Sequence, residues 1–177
     1  MPYWRLFYHL IWATKDWAPL IDPAVEDAIE RSFRAICEEL GVRLFATGVV
    51  PDEVHLVVSI PPRLALADVV GRLKGASSFA VKGADHRSDG ARFAWQGEYG
   101  ALSFGEKSLP GVVAYVKNQT ARHATNDLWP TLERFADQTA QPPSGGFVGS
   151  ARGFEPRAAG ARRSASDGNA PKTGGRP

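Results

Sequence analysis

Residues 42–60 read VRLFATGVVPDEVHLVVSI. Two runs rich in β-branched and apolar residues, 42–50 and 54–60, flank Pro51 and Asp52, which favour a turn. So short a connection joins neighbouring strands antiparallel, and the stretch predicts a β-hairpin. Along its second strand Glu53 and His55 emerge on one face, while Val54 and Leu56 point to the other.

Upstream, YWRLFYHLIWAT (3–14) is aromatic and β-branched at both parities, as expected of a central strand covered on both faces. Asp22 and Pro23 supply a cap and a first-turn proline, Val25, Ile29, Phe33, Ile36 and Leu40 follow at helical spacing, and Gly41 stops the helix. Downstream, Pro61 and Pro62 end the third strand. Leu66, Val69, Val70, Leu73 and Ala76 predict a second helix to about residue 81, followed by the polar loop KGADHRSDGAR (82–92). A fourth strand is expected within FAWQGEYGALSFG (93–105), and Ser108 with Pro110 opens a last helix to about residue 125. The order predicts an α+β, ferredoxin-like (split βαβ) fold: a four-stranded antiparallel sheet with two helices on one face, plus a C-terminal helix carrying Tyr115. Such a fold names no function, which must come from a site.

The 177 residues suit one domain, placed at 1–136, followed by a disordered basic tail rich in Gly, Pro, Ala and Arg at 137–177. The net charge of +2 is uneven: 15 basic against 16 acidic residues in the domain, 6 against 3 in the tail. The basic balance comes from the tail, so bulk charge does not argue that the domain binds nucleic acid. The lone Cys37 excludes an intramolecular disulfide and a cysteine-rich zinc site. No apolar run is long enough to cross a bilayer, and the N-terminus lacks the pattern of a signal peptide, so a cytoplasmic protein without membrane contact is expected. No Walker-type glycine loop points to a nucleotide cofactor.

Four groups of residues could carry chemistry. Glu53 and His55 can share one cation, or be a surface acid beside a hydrogen-bonding histidine. On the last helix Tyr115 and Gln119 are four apart, with Arg122 one turn on. A phenol, a carboxamide and a guanidinium along one ridge suit phosphate chemistry; equally, they suit a part-buried tyrosine with solvated neighbours. Trp95 and Tyr99 can stack on unpaired bases or cover the core edge. Arg72, Lys74, Ser77 and Ser78 can contact phosphates or form a solvated helix face. His9 either supports the site or packs, His86 falls in a loop, and His123 suits a helix C-terminus.

Five stretches together carry a resemblance: YHLIWATK (8–15), PDEVHLVVSIPP (51–62), RLKGASS (72–78), FAWQGEYGALSFG (93–105) and YVKNQ (115–119). The chain resembles the small single-tyrosine transposases of the HUH class, the insertion-sequence family that includes the REP-associated tyrosine transposases. The resemblance covers the domain and none of the tail. It implies cleavage and rejoining of single-stranded DNA, at hairpin ends of a mobile or repeat element, by a homodimer using Mg²⁺ or Mn²⁺. It assigns Tyr115 as the nucleophile that becomes joined to a 5′ phosphate, His55 as the second histidine of the family's metal motif, and Gln119 as the third ligand. Glu53 stands where the family has its first histidine. Either its carboxylate keeps the cation, or the chain is an impaired relic that binds single-stranded DNA hairpins without cutting them.

Overall fold

The computed structural model describes residues 3–84 and 92–133. The expected tail and His86 lie outside the described residues. The predicted hairpin forms: β2 (Arg43–Val50) and β3 (Glu53–Ser59), numbered after β1 (Phe7–Ala13), join through Pro51 and Asp52. The turn is braced from outside, its two carbonyls accepting from the N–H of Ile21 at 2.9 Å and of Thr14 at 2.7 Å. A fourth strand, β4 (Gly100–Phe104), completes an antiparallel sheet in the order β2-β3-β1-β4. This is the expected ferredoxin-like α+β arrangement.

Helices α1 (Pro23–Leu40) and α2 (Leu66–Ala84) cover one face. Asp22 caps α1, accepting from the N–H groups of Ala24 and Val25 at 2.9 Å, a contribution of about 1 kcal/mol. Gly41 ends it in the left-handed region at φ 68°. Leu10, Trp12, Val54, Leu56 and Val58 point into this layer, against Ile29, Phe33, Val70 and Leu73. The other face carries a smaller core, where Ala46 and Val57 meet Val112, Tyr115, Val116 and Leu132. The first strand is thus covered on both sides, as its composition requires.

The fourth strand lies within the expected stretch but is short, and Trp95 makes only an isolated bridge with Thr14. The carbonyls of Gln96, Gly97 and Glu98 all accept from Lys74 Nζ, at 2.6, 3.1 and 3.1 Å, which turns them away from a strand ladder. The last helix is two: α3 (Leu109–Lys117) and α4 (Gln119–Thr125). At the break, the Asn118 side chain donates back to the Ala114 carbonyl at 2.8 Å, competing for a helix acceptor. Ser108 precedes α3 without a side-chain cap bond. Among the described residues no helix is long and apolar enough to cross a membrane.

Candidate active site

The hairpin's alternation points Glu53 and His55 away from α1 and α2, toward α3 and α4. Both are buried, and they are joined by a 3.3 Å contact between His55 Nε2 and Glu53 Oε1. What lets the helices come so close is Gly48, the β2 partner of His55. A Cβ there would lie 2.3 Å from the Val116 carbonyl oxygen and 3.1 Å from Gln119 Cβ. Only a residue without a side chain leaves room for the helix backbone to rest on the sheet.

Across that contact Gln119 and His123, one helical turn apart, reach the hairpin pair. Gln119 Nε2 lies 2.8 Å from His55 Nε2 and 2.9 Å from His123 Nε2, and His123 Nε2 lies 2.9 Å from Glu53 Oε1. Beyond α4 the chain reverses at Asn126, in the left-handed region at φ 55°, and Leu132 anchors it in the smaller core. This brings in Glu133. Its Oε1 accepts from Gln119 Nε2 at 3.0 Å and from the Tyr115 hydroxyl, and its Oε2 is 3.7 Å from both His55 and His123.

Tyr115 is wholly buried. Its hydroxyl O–H donates to Glu133 and its oxygen accepts from the Trp129 N–H at 3.0 Å. Its ring stacks on Trp129 at 4.8 Å, and the Arg122 guanidinium lies over both rings at 4.8 and 5.4 Å. Arg122 is held there by Asp127, its Nη1 donating to Oδ2 at 2.6 Å and to the carbonyl at 3.1 Å. Burial, then the Glu133 carboxylate, pushes the Tyr115 hydroxyl up to about 12. Burial and the neighbouring Glu133 charge push Glu53 up to about 8. His55 is pushed down to about 4, by burial first and by His123. His9, 3.0 Å from His55 Nδ1, is pushed down to about 3 by burial and then by His55.

Ligand atoms of Glu53, His55, His123 and Glu133 all lie within 4.8 Å of one another. At their centre sits the Gln119 amide nitrogen, facing three acceptor atoms with two hydrogens, while the buried Oε1 of the same amide has no partner. Lone pairs converging on one partial positive charge, with an orphaned oxygen beside them, fit a divalent cation. Turning the amide end for end would add its oxygen to two imidazoles and two carboxylates.

The structure therefore brings Glu53, His55, Tyr115, Gln119 and Arg122 together. The remaining candidates lie elsewhere. Arg72 pairs with Glu39 at 2.5 Å, and Lys74 is taken up by the three carbonyls. Ser77 accepts from the Trp95 indole at 2.9 Å. Ser78, Trp95 and Tyr99 line a groove of about 610 Å³ beside α2. Sequence reasoning missed His123 as a site residue, although 115, 119 and 123 share one helical spacing. It missed Glu133, for which no local pattern exists.

Comparison with known proteins supplies the family of this fold. The family described as "Transposase IS200 like" matches residues 2–119, and the chain belongs to it. The match ends at Gln119, before His123 and Glu133. The chain is 30% identical over 120 residues to the ISDra2 transposase TnpA of Deinococcus radiodurans, covering 66% of this chain and 85% of that one. It is 29% identical over 78 residues to the transposase for insertion sequence element IS200 of Salmonella typhimurium, spanning only 51% of that protein. A solved transposase of Deinococcus radiodurans superposes with a TM-score of 0.53 at 31% identity, over 67% of this chain and 95% of that one. A REP-associated tyrosine transposase bound to a REP hairpin shares the fold, with a TM-score of 0.54 at 13% identity over 73% and 81%.

Proposed function

We propose that this transposase-family chain cleaves and rejoins single-stranded DNA at hairpin ends through a covalent 5′-phosphotyrosine. The observation that carries the reading is the meeting of Tyr115 and Gln119 with the Glu53–His55 pair through Glu133. The Tyr115 oxygen attacks phosphorus, the bond to the 3′ oxygen breaks, and that oxygen leaves as a hydroxyl after taking a proton. The phenolic proton already lies in a hydrogen bond to Glu133 Oε1, the group positioned to receive it. Rejoining reverses these steps, with a 3′ hydroxyl attacking the phosphotyrosine, so no nucleotide is consumed.

Glu53, His55 and Gln119 would hold Mg²⁺ or Mn²⁺, with His123 adding the second imidazole that position 53 lacks; of these two ions, imidazole nitrogens bind the transition metal Mn²⁺ better than Mg²⁺. When bound, the cation supplies charge stabilisation at the scissile phosphate. Arg122 steadies the tyrosine ring. The DNA strand reaches Tyr115 only after Trp129, which stacks on its ring and donates to its oxygen, moves aside. Tyrosine and cluster meet within one chain. A homodimer, as the resemblance implies, would serve to hold two ends together.

One observation favours a second reading. A fully buried tyrosine with both hydrogen-bonding directions of its oxygen filled suits a chain that binds hairpins without cutting them. Incubation with labelled hairpin single-stranded DNA and Mn²⁺ separates the two. A denaturant-resistant adduct, lost in Tyr115→Phe, supports the transposase; binding without an adduct supports the second reading; neither binding nor adduct refutes both.

A further inference from the structure

His9 takes no part in the steps above, yet it is buried on β1 with its Nε2 3.0 Å from His55 Nδ1. Strand pairing fixes this approach: Ile11 lies opposite His55 and His9 opposite Val57, which places the two histidines diagonally on one face of the sheet. The ring centroids are 5.2 Å apart. Two neutral imidazole nitrogens at this distance share one hydrogen, and its owner decides what His55 shows the cluster. If His9 donates, His55 Nε2 carries a hydrogen and cannot ligate. If His55 donates from Nδ1, its Nε2 offers a lone pair. The Gln119 amide nitrogen, which can only donate, lies 2.8 Å from His55 Nε2 and favours the second arrangement, whereas Glu53 Oε1, at 3.3 Å, would accept from Nε2 in the first.

The geometry points to His9 as a positioning residue: it accepts the Nδ1 hydrogen of His55 and so keeps the Nε2 lone pair aimed into the cluster formed by Glu53, His123 and Gln119. This rests on the reading of that cluster as a divalent-cation site. Outer partners of this kind orient a ligand imidazole, and their loss costs roughly 10- to 100-fold in metal affinity.

The test uses the ¹⁵N-labelled full chain, wild type, His9→Leu and His9→Gln. Imidazole NMR reads the His55 tautomer without metal, and Mn²⁺ affinity is measured by electron paramagnetic resonance. Wild type and His9→Gln, which retains an acceptor, are expected to show His55 protonated at Nδ1. His9→Leu is expected to shift the hydrogen to Nε2 and weaken Mn²⁺ binding roughly 10- to 100-fold. An Nε2-protonated His55 in the metal-free wild type overturns the proposal without any variant. So does a leucine variant with unchanged tautomer and affinity, or a glutamine variant no better than leucine. A wild type that keeps the Nδ1 tautomer but binds no Mn²⁺ refutes the cation reading and, with it, the purpose assigned to His9.

Discussion

Gly48→Ala is the sharpest probe of how the site is assembled. The new Cβ would stand 2.3 Å from the Val116 carbonyl oxygen, where ordinary contact begins at 3.4 Å. The obstacle is backbone, so no side-chain rotation relieves it, and α3 and α4 must retreat from the sheet by about 1 Å. Overpacking of this kind costs about 1–3 kcal/mol, and each kcal/mol lowers the melting temperature of a domain this size by about 2–4 °C. Gln119 moves with the helix, and a misplacement of about 1 Å in a catalytic constellation can cost about 10²-fold. Gly71→Ala is the matched control: a Cβ there meets nothing within 4 Å, and the change in a helix interior should stabilise by about 0.5–1 kcal/mol. Thermal melts, Mn²⁺ titration and adduct formation on both variants decide the matter. A Gly48→Ala protein with wild-type melting and wild-type Mn²⁺ affinity would refute the claim that close helix–sheet approach builds the site.

Three further outcomes are expected. His9 and His55 have depressed pKa values, so they favour the fold above about pH 6.5 and lose that contribution as pH falls toward 4 and 3; raised Glu53 favours the fold below its ordinary value and loses that as pH rises through about 8. Between pH 6.5 and 4.5 the two histidines outweigh the one glutamate by about 1.4 kcal/mol per pH unit, so metal-free stability, followed by chemical denaturation, should peak near pH 6.5. Because Glu53 stays protonated below about 8, Mn²⁺ binding at pH 7 should release about one proton and at pH 9 almost none, measured by calorimetry in buffers of different ionisation enthalpy. Trp129→Ala should expose Tyr115, on whose ring Trp129 stacks, to nitration by tetranitromethane, read by peptide mass mapping, whereas Trp17→Ala, at an exposed position after β1, should leave it protected.

The sequence showed the fold and half of the site for one reason: both rest on short periods. Alternation along 53–59 places Glu53 beside His55, and the four-residue step on the last helix places Tyr115 beside Gln119. His123 obeys the same step, but a histidine near a helix end already had a local explanation in the helix dipole, which hid it. His9 needed the register between strands 46 residues apart, and no local pattern encodes that. Glu133 depends on the reversal at Asn126 and on where Leu132 finds its core contact. That Lys74 holds three carbonyls of a distant loop leaves no trace in its sequence neighbours.

The cluster gathers its donors from three separate stretches: a strand, the helix after the break, and the returning chain beyond it. An ion held there would act as a rivet, tying segments about 80 residues apart in sequence to one another. Chelation should then loosen α4 and residues 126–133 from the sheet before anything else melts, visible as faster amide exchange confined to that corner while α1 and α2 stay protected.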